Sequence, residues 1–309
     1  MDKNEPGFRP GTAAKNPKAI VAGEGLLPLL LAKRAVNQGN PLVVYCFGSG
    51  ERFDGLPGTE TIPVTDLSRT GKLTGDARAG SPDALDLQAV LEDMKARGVT
   101  SVTLAGTVPK SVMYGASLDP SILRLLEGSN DDHSLLGRIV RAFESIGIPV
   151  VPYASHLKDC LAPEGLVAGR APLAGEAADI EYGRSILVVT LPLSFGQSIV
   201  VSGGAVVAIE AMEGTDEMIR RAGEILRGRK NGVLVKMMRE DQDIRYDIPV
   251  VGTSTLETMK KAGLTCLAVE AGRTLLLEKD EFVRRASELD IAVEGISGGE
   301  TRIPGGFSS

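Results

Sequence analysis

The chain has 309 residues, with 34 Lys and Arg against 40 Asp and Glu, a formal net charge of −6. That acidic balance excludes a basic nucleic-acid surface, and 43% hydrophobic residues suffice for about two packed domains at roughly 150 residues each. Three widely spaced cysteines, Cys46, Cys160 and Cys266, and two histidines, His133 and His156, exclude a zinc-type spacing and a redox dithiol. They fit a reduced, cytosolic setting and leave carboxylates as the expected catalytic groups.

Residues 1–18 mix charge, Pro and Gly and read as a loose arm without the apolar stretch of a secretory signal. No apolar run approaches the ~20 residues that span a bilayer, so any lipid contact is expected to be peripheral. From Ala19 the pattern is an apolar strand, a turn Gly23-Glu24-Gly25, a helix from Pro28 to Asn37 closed by Gly39, and a strand to Cys46. Pro presets φ for a first helical turn, and Gly tolerates the left-handed cap at a helix end. Residues 48–83, rich in Gly, Pro, Asp and Thr, are expected to form long loops. A helix over 85–97, a strand at 102–104, a helix over 134–146 and a strand over 148–151 repeat the grammar, which indicates a parallel sheet.

Punctuation thickens over 152–176, where the boundary is placed: an N-terminal domain over 19–155, a C-terminal one over 165–297, and a mobile tail over 298–309. The second half is expected to open with strands at 186–191, 199–201 and 205–210. A helix over 216–226, strands at 232–237 and 244–250, a helix over 254–262 and strands at 266–270 and 274–277 follow. The fold class is therefore α/β, a Rossmann-like parallel-sheet domain followed by a second α/β domain with a mixed sheet.

The densest charge pattern is Asp241-Gln242-Asp243-Ile244-Arg245-Tyr246-Asp247-Ile248-Pro249. In an extended strand Asp241, Asp243, Arg245 and Asp247 would share one face. Carboxylates so placed suit a hard divalent cation, with the Arg on phosphate oxygens; equally, they suit a solvated edge strand blunted by charge and Pro249. The stretch Glu210-Ala211-Met212-Glu213-Gly214-Thr215-Asp216 leads from a strand into a helix, with Thr215 as its expected N-cap, and Arg220 and Arg221 one turn on. Its free N–H groups can take a phosphate, or it is an ordinary capped helix. The Gly23-Glu24-Gly25 turn lacks the third Gly of a dinucleotide fingerprint, with Leu29 in its place. Like Gly106-Thr107-Val108-Pro109-Lys110, it stands at a strand's carboxyl end, where open α/β sheets bind ligands. Asp131-Asp132-His133 is expected to cap the following helix, and Gln197 is one more polar group at a strand entrance.

Taken together these pieces resemble the LpxI-type UDP-2,3-diacylglucosamine pyrophosphatases of Gram-negative lipid A synthesis. The similar stretches are Ala22-Gly23-Glu24-Gly25-Leu26-Leu27-Pro28, Leu104-Ala105-Gly106, Phe195-Gly196-Gln197 and Ile209 to Asp216 with Arg220 and Arg221. Gln242 to Gly252 and Val269-Glu270-Ala271-Gly272 complete the set. The resemblance implies two domains with substrate between them, and hydrolysis dependent on Mg²⁺, with Mn²⁺ as second candidate. Water would attack the α-phosphate, giving UMP and 2,3-diacylglucosamine 1-phosphate. It implies Asp247 and Asp243 as catalytic carboxylates, and Asp247, Asp243 and Asp216 as metal ligands. Substrate would be held by Gly23, Gly25, Leu26, Gly106, Thr107, Lys110, Gln197, Gly214, Thr215, Arg220, Lys236 and Arg245. The implied partner is the UDP-linked diacylated sugar, with no nucleic acid; peripheral contact with the inner membrane and a homodimer are further expectations. Several residues depart from the family pattern: Glu24 and Ser194 replace a usual Gly and Asp, and Glu240 a usual Pro. Thr107 and Pro109 alter the turn after Gly106, and Asp131-Asp132-His133 fits a Gly-Asp-Asp pattern imperfectly. A non-catalytic or regulatory nucleotide-sugar binder is the alternative these raise, while the incomplete glycine fingerprint disfavours an NAD-dependent oxidoreductase.

Overall fold

The computed structural model describes residues 16–67, 87–107, 135–193, 196–229, 231–240 and 242–298. Lys110, Asp131 to His133, Ser194 and Asp241, singled out above, lie outside them, as do Pro109 and Phe195. The chain divides into two compact units, Met1–Val151 and Pro152–Ser309.

In unit 1 the described elements are β1 (Lys18–Ala22), α1 (Leu27–Asn37), β2 (Leu42–Cys46), β3 (Thr59–Pro63), α2 (Val64–Leu67), α3 (Leu87–Ala96), β4 (Val102–Ala105) and α4 (Leu135–Ser145). The four strands form a wholly parallel sheet in the order β3-β2-β1-β4. Every residue of β2 and β4 is buried, so both faces of those strands are covered, the condition that favours near-continuous apolar runs in parallel sheets. The expectation of long loops over 48–83 is corrected by β3, which pairs with β2 from Thr59 to Pro63.

Unit 2 contains β5 (Gly165–Ala168), α5 (Ala174–Thr190), β6 (Ser198–Ser202), β7 (Ala205–Ile209), α6 (Thr215–Leu226), β8 (Gly232–Lys236), β9 (Val250–Val251), α7 (Thr253–Ala262), β10 (Leu264–Glu270), β11 (Leu275–Leu276), α8 (Lys279–Glu288) and β12 (Ala292–Ile296). Six strands form a mixed sheet, β5-β12-β10-β8-β6-β7, in which β8, β10 and β12 are parallel and the others antiparallel to their neighbours. β9 and β11 make a separate parallel pair. Alternation along the strands divides the core into two layers. Val200, Leu234, Leu267 and Val293 pack with Met218, Leu256, Met259 and Phe282 of the helices α6, α7 and α8. Val201, Val233, Val235 and Cys266 pack with Ile180 and Leu187 of α5.

Two expectations fail here. Residues 186–191 are not a strand but the end of the 17-residue α5 and the turn after it. Their β-branched run mimics a strand, yet Leu187 is buried while Val189 is exposed, and Gly183 lets the helix lie close on Val201 and Val235 of the sheet. Residues 244–250 are not a strand either, since only Val250 and Val251 are extended and paired. The Asp243 carbonyl accepts from the N–H groups of Tyr246 and Asp247 at 3.3 and 3.0 Å, which closes a turn. The shared-face arrangement of Asp243, Arg245 and Asp247 therefore does not form.

Candidate active site

The carboxyl ends of β7 and β8 carry Glu210 and Lys236, and the entrance to β6 lies beside them, with Ser198 opposite Lys236 in the ladder. This is the sheet edge at which α/β folds bind ligands. A pocket of about 400 Å³ opens there, walled by Leu191, Gly196, Gln197, Glu210, Lys236 and Arg239, and by the segment from Asp247 to Val250.

Lys236 is buried and donates from Nζ to Thr215 Oγ1 at 2.8 Å; Thr215 Oγ1 in turn donates to Glu210 Oε1 at 2.8 Å. The Gln197 N–H reaches Glu210 Oε2 at 3.3 Å. A Cβ at Gly196 would fall on the Glu210 carbonyl, so only glycine lets this backbone pass so near. Burial pushes the Lys236 ammonium below the ordinary lysine range, and the charges of Glu210, Asp216 and Asp247 offset that only in part. Lys236 thus lines one pocket with the carboxylates of Glu210 and Asp247. The expected N-cap is corrected: Gly214, at φ 85°, precedes the helix, and Thr215 is its first residue, its hydroxyl engaged by the lysine and glutamate.

The pocket wall is held from behind. Glu270, almost wholly buried, accepts from the Met238 N–H at 2.8 Å and from Arg273 at 2.9 Å, and Arg273 also donates to the Arg239 carbonyl at 2.9 Å. Asp243 and Arg245 pair with one another. Both Asp243 oxygens accept from the guanidinium, at 2.6 to 3.0 Å, and Oδ1 also takes the Arg245 N–H at 3.0 Å. The Arg245 bonds hold the Asp243 carboxyl below the usual range, against its partial burial. Neither residue lines the pocket. Arg220 is exposed and paired with Glu217.

Of the expected residues, Gln197, Lys236 and Asp247 line this pocket, Thr215 is bonded to Lys236 behind its wall, and Gly214 and Asp216 adjoin Thr215 in the chain. Glu210 and Arg239 also belong to it and were not singled out as site residues. A carboxylate at the end of an apolar strand, and an arginine just past the next strand, were the available signals.

Gly23, Gly25, Leu26, Gly106 and Thr107 lie in unit 1. There the turns after β1 and β4 are zipped together: the Glu24 N–H donates to the Thr107 carbonyl at 2.8 Å and the Thr107 N–H to the Glu24 carbonyl at 3.1 Å. A Cβ at Gly23 would collide with the Thr107 carbonyl, and one at Gly106 with the Glu24 carbonyl. Arg52 donates to the carbonyls of Gly23 and Gly25, and Leu26 is exposed at the start of α1. These glycines thus have a packing reason of their own.

Among the described residues no group of three or more His, Cys, Asp or Glu could hold a metal ion. A closed protein cage is therefore absent from them. Two pocket carboxylates, Glu210 and Asp247, nonetheless fit Mg²⁺, which is usually held by one or two carboxylates, with waters and substrate phosphates completing its shell. No helix among the described residues is long and apolar enough to cross a membrane.

Comparison with known proteins agrees in order along the chain. The LpxI N-terminal domain model matches residues 82–160, and the LpxI C-terminal domain model residues 163–294. UDP-2,3-diacylglucosamine pyrophosphatase LpxI of Caulobacter vibrioides is 27% identical over 290 residues, covering 90% of this chain and 96% of that protein. A solved L-amino acid ligase from Bacillus licheniformis is similar over 65% of this chain and 41% of its own, at 13% identity and a TM-score of 0.26, a likeness that carries no functional argument. With the N- and C-terminal domain models matched in sequence and spanning roughly two thirds of its length, the chain belongs to the LpxI family.

Proposed function

We propose that the protein is a Mg²⁺-dependent hydrolase that cleaves UDP-2,3-diacylglucosamine to UMP and 2,3-diacylglucosamine 1-phosphate. The observation that carries this reading is the buried Lys236, linked through the Thr215 hydroxyl to Glu210 and lining one pocket with Glu210 and Asp247, at the carboxyl edge of the unit 2 sheet, in a chain of this family. A pyrophosphate is a dianion, and an acidic protein needs local positive charge to hold it. Lys236 and Arg239 line the pocket and supply that charge. Of the three lysine donors, one goes to Thr215 and two are left for phosphate oxygens.

Glu210 and Asp247 would hold the metal, which when bound neutralises phosphate charge and polarises water. Asp247 takes a proton from the attacking water as its oxygen bonds to the α-phosphorus. The bond from that phosphorus to the bridging oxygen breaks, and the bridging oxygen leaves with the lipid phosphate. Thr215 keeps Lys236 and Glu210 apart in fixed places, and the Asp243–Arg245 fork supports the turn bearing Asp247. The acyl chains are expected to bring the protein into peripheral contact with inner-membrane lipid from the cytoplasmic side.

UMP release from UDP-2,3-diacylglucosamine tests the proposal. Turnover is expected with Mg²⁺ and is lost on chelation; Asp247→Ala lowers kcat by about a hundredfold or more, the scale of a lost general base. Saturable binding of the substrate without UMP release would overturn the hydrolase reading in favour of a non-catalytic binder.

A further inference from the structure

Asp247 lies in a segment with little regular structure of its own. On its amino side the turn is closed by the Asp243 carbonyl, and on its carboxyl side the Pro249 carbonyl accepts from the Leu275 N–H at 2.9 Å where the short ladder with β11 begins. Between them Ile248 is buried, and its N–H and C=O cannot go unpaired in that setting without cost. Both go to one side-chain atom. The Tyr153 hydroxyl accepts from the Ile248 N–H at 2.7 Å and donates to the Ile248 carbonyl at 2.9 Å. The Tyr153 ring is buried, so the phenol cannot swing away without opening the core. The contact joins residues 95 apart in sequence, and both belong to unit 2.

We infer that Tyr153 is the positioning residue for Asp247: its hydroxyl clamps both backbone groups of the neighbouring residue and so fixes where the Asp247 carboxylate stands in the pocket. The inference rests on the proposed role of Asp247 for its kinetic consequences, and on the hydrogen bonds alone for its structural ones. Tyr153→Phe keeps the ring and removes both bonds. A catalytic group displaced by as little as an ångström loses rate steeply while substrate still binds through other contacts, so the effect falls on kcat.

The experiment compares Tyr153→Phe with Tyr45→Phe, which removes another buried hydroxyl, bonded to Asp93 in unit 1 at 2.8 Å. Amide hydrogen exchange is followed by mass spectrometry over residues 243–250, and kcat and KM are measured with UDP-2,3-diacylglucosamine. In the unaltered protein the Ile248 amide is expected to be protected from exchange. In Tyr153→Phe, exchange over this segment rises about tenfold or more, as expected for the loss of its bonding partner. The kcat falls about tenfold or more with KM within about threefold, and Tyr45→Phe changes neither quantity. An unprotected Ile248 amide in the unaltered protein overturns the inference whether or not the variant folds. So does unchanged exchange over 243–250, a kcat within about twofold of the unaltered protein, or a loss equalled by Tyr45→Phe. If the unaltered protein releases no UMP, the hydrolase reading fails, and the exchange measurements alone decide the clamp.

Discussion

Thr215→Val isolates the link between the buried cation and the carboxylate opposite. The Thr215 hydroxyl accepts from Lys236 Nζ and donates to Glu210 Oε1, each at 2.8 Å, and valine keeps its volume without either bond. A hydrogen bond to a charged group contributes about 1.5–3 kcal/mol. Both Glu210 and Lys236 line the pocket, but Lys236 is only 6% exposed, so water replaces its lost acceptor less fully than it replaces the donor lost by Glu210. The expected loss is therefore about 2 kcal/mol rather than twice that. Thr215→Ser keeps the hydroxyl and gives up one half-buried methyl, less than about 0.8 kcal/mol. Urea unfolding followed by circular dichroism measures the difference, since the chain has no Trp to report by fluorescence. With Glu210 no longer held, kcat/KM for UDP-2,3-diacylglucosamine should fall about tenfold in the valine variant, equivalent to about 1.4 kcal/mol. A valine variant as stable as the serine variant within about 0.5 kcal/mol, and as active, would refute the reasoning.

Gly23→Ala drives a methyl onto the Thr107 carbonyl, and overpacking of that kind costs about 1–3 kcal/mol; an unchanged urea transition would show that the two turns are not zipped as described. Glu176 tests a stabilising role far from the pocket. Burial alone would raise its carboxyl, but Arg170, Thr265 and the Leu173 N–H outweigh that and hold it below the usual range. Because the folded value is the lower one, the stabilisation is present above the unfolded value of about 4.3 and disappears as pH falls through the folded value. Glu176→Gln should then cost about 3 kcal/mol at pH 7, the scale for breaking a buried pair, and little once the carboxyl is protonated. An equal loss on both sides of that range would contradict the ion pair's role.

Local punctuation was readable and long-range packing was not. The start of α1 at Leu27-Pro28 and the end of α7 at Gly263, which is in the left-handed region at φ 80°, follow from what Pro and Gly do to φ. The strand cores of β1, β2, β8 and β10 follow from apolar runs between such marks. The run over 186–189 looks like a strand because Ile and Val favour strands locally, but it ends α5, whose Gly183 lies close on Val201 and Val235 of the sheet, a tertiary contact that intrinsic propensity does not contain. The alternating charges from Asp243 to Asp247 look like one face of a strand, but an Asp side chain that takes the N–H two residues on makes a turn instead. At the site, Thr215 stands at a strand-to-helix turn that the sequence marks, whereas Asp247 and Lys236 fall inside expected strands, Asp247 within the charge pattern and Lys236 pointed to only by the family resemblance. Glu210 gains its meaning only from Lys236, and Tyr153 only from Ile248, contacts that no spacing within one segment reveals.

On the proposed function, this pocket directs water to the α-phosphate of a UDP-linked diacylated sugar. Hydrolysis of UDP-2,3-diacylglucosamine by the purified protein with Mg²⁺ in ¹⁸O-labelled water tests it most directly, the products being read by mass spectrometry. One labelled oxygen in UMP and none in 2,3-diacylglucosamine 1-phosphate is the predicted result. Label in the lipid phosphate, or no UMP at all, would contradict attack of water at that phosphorus.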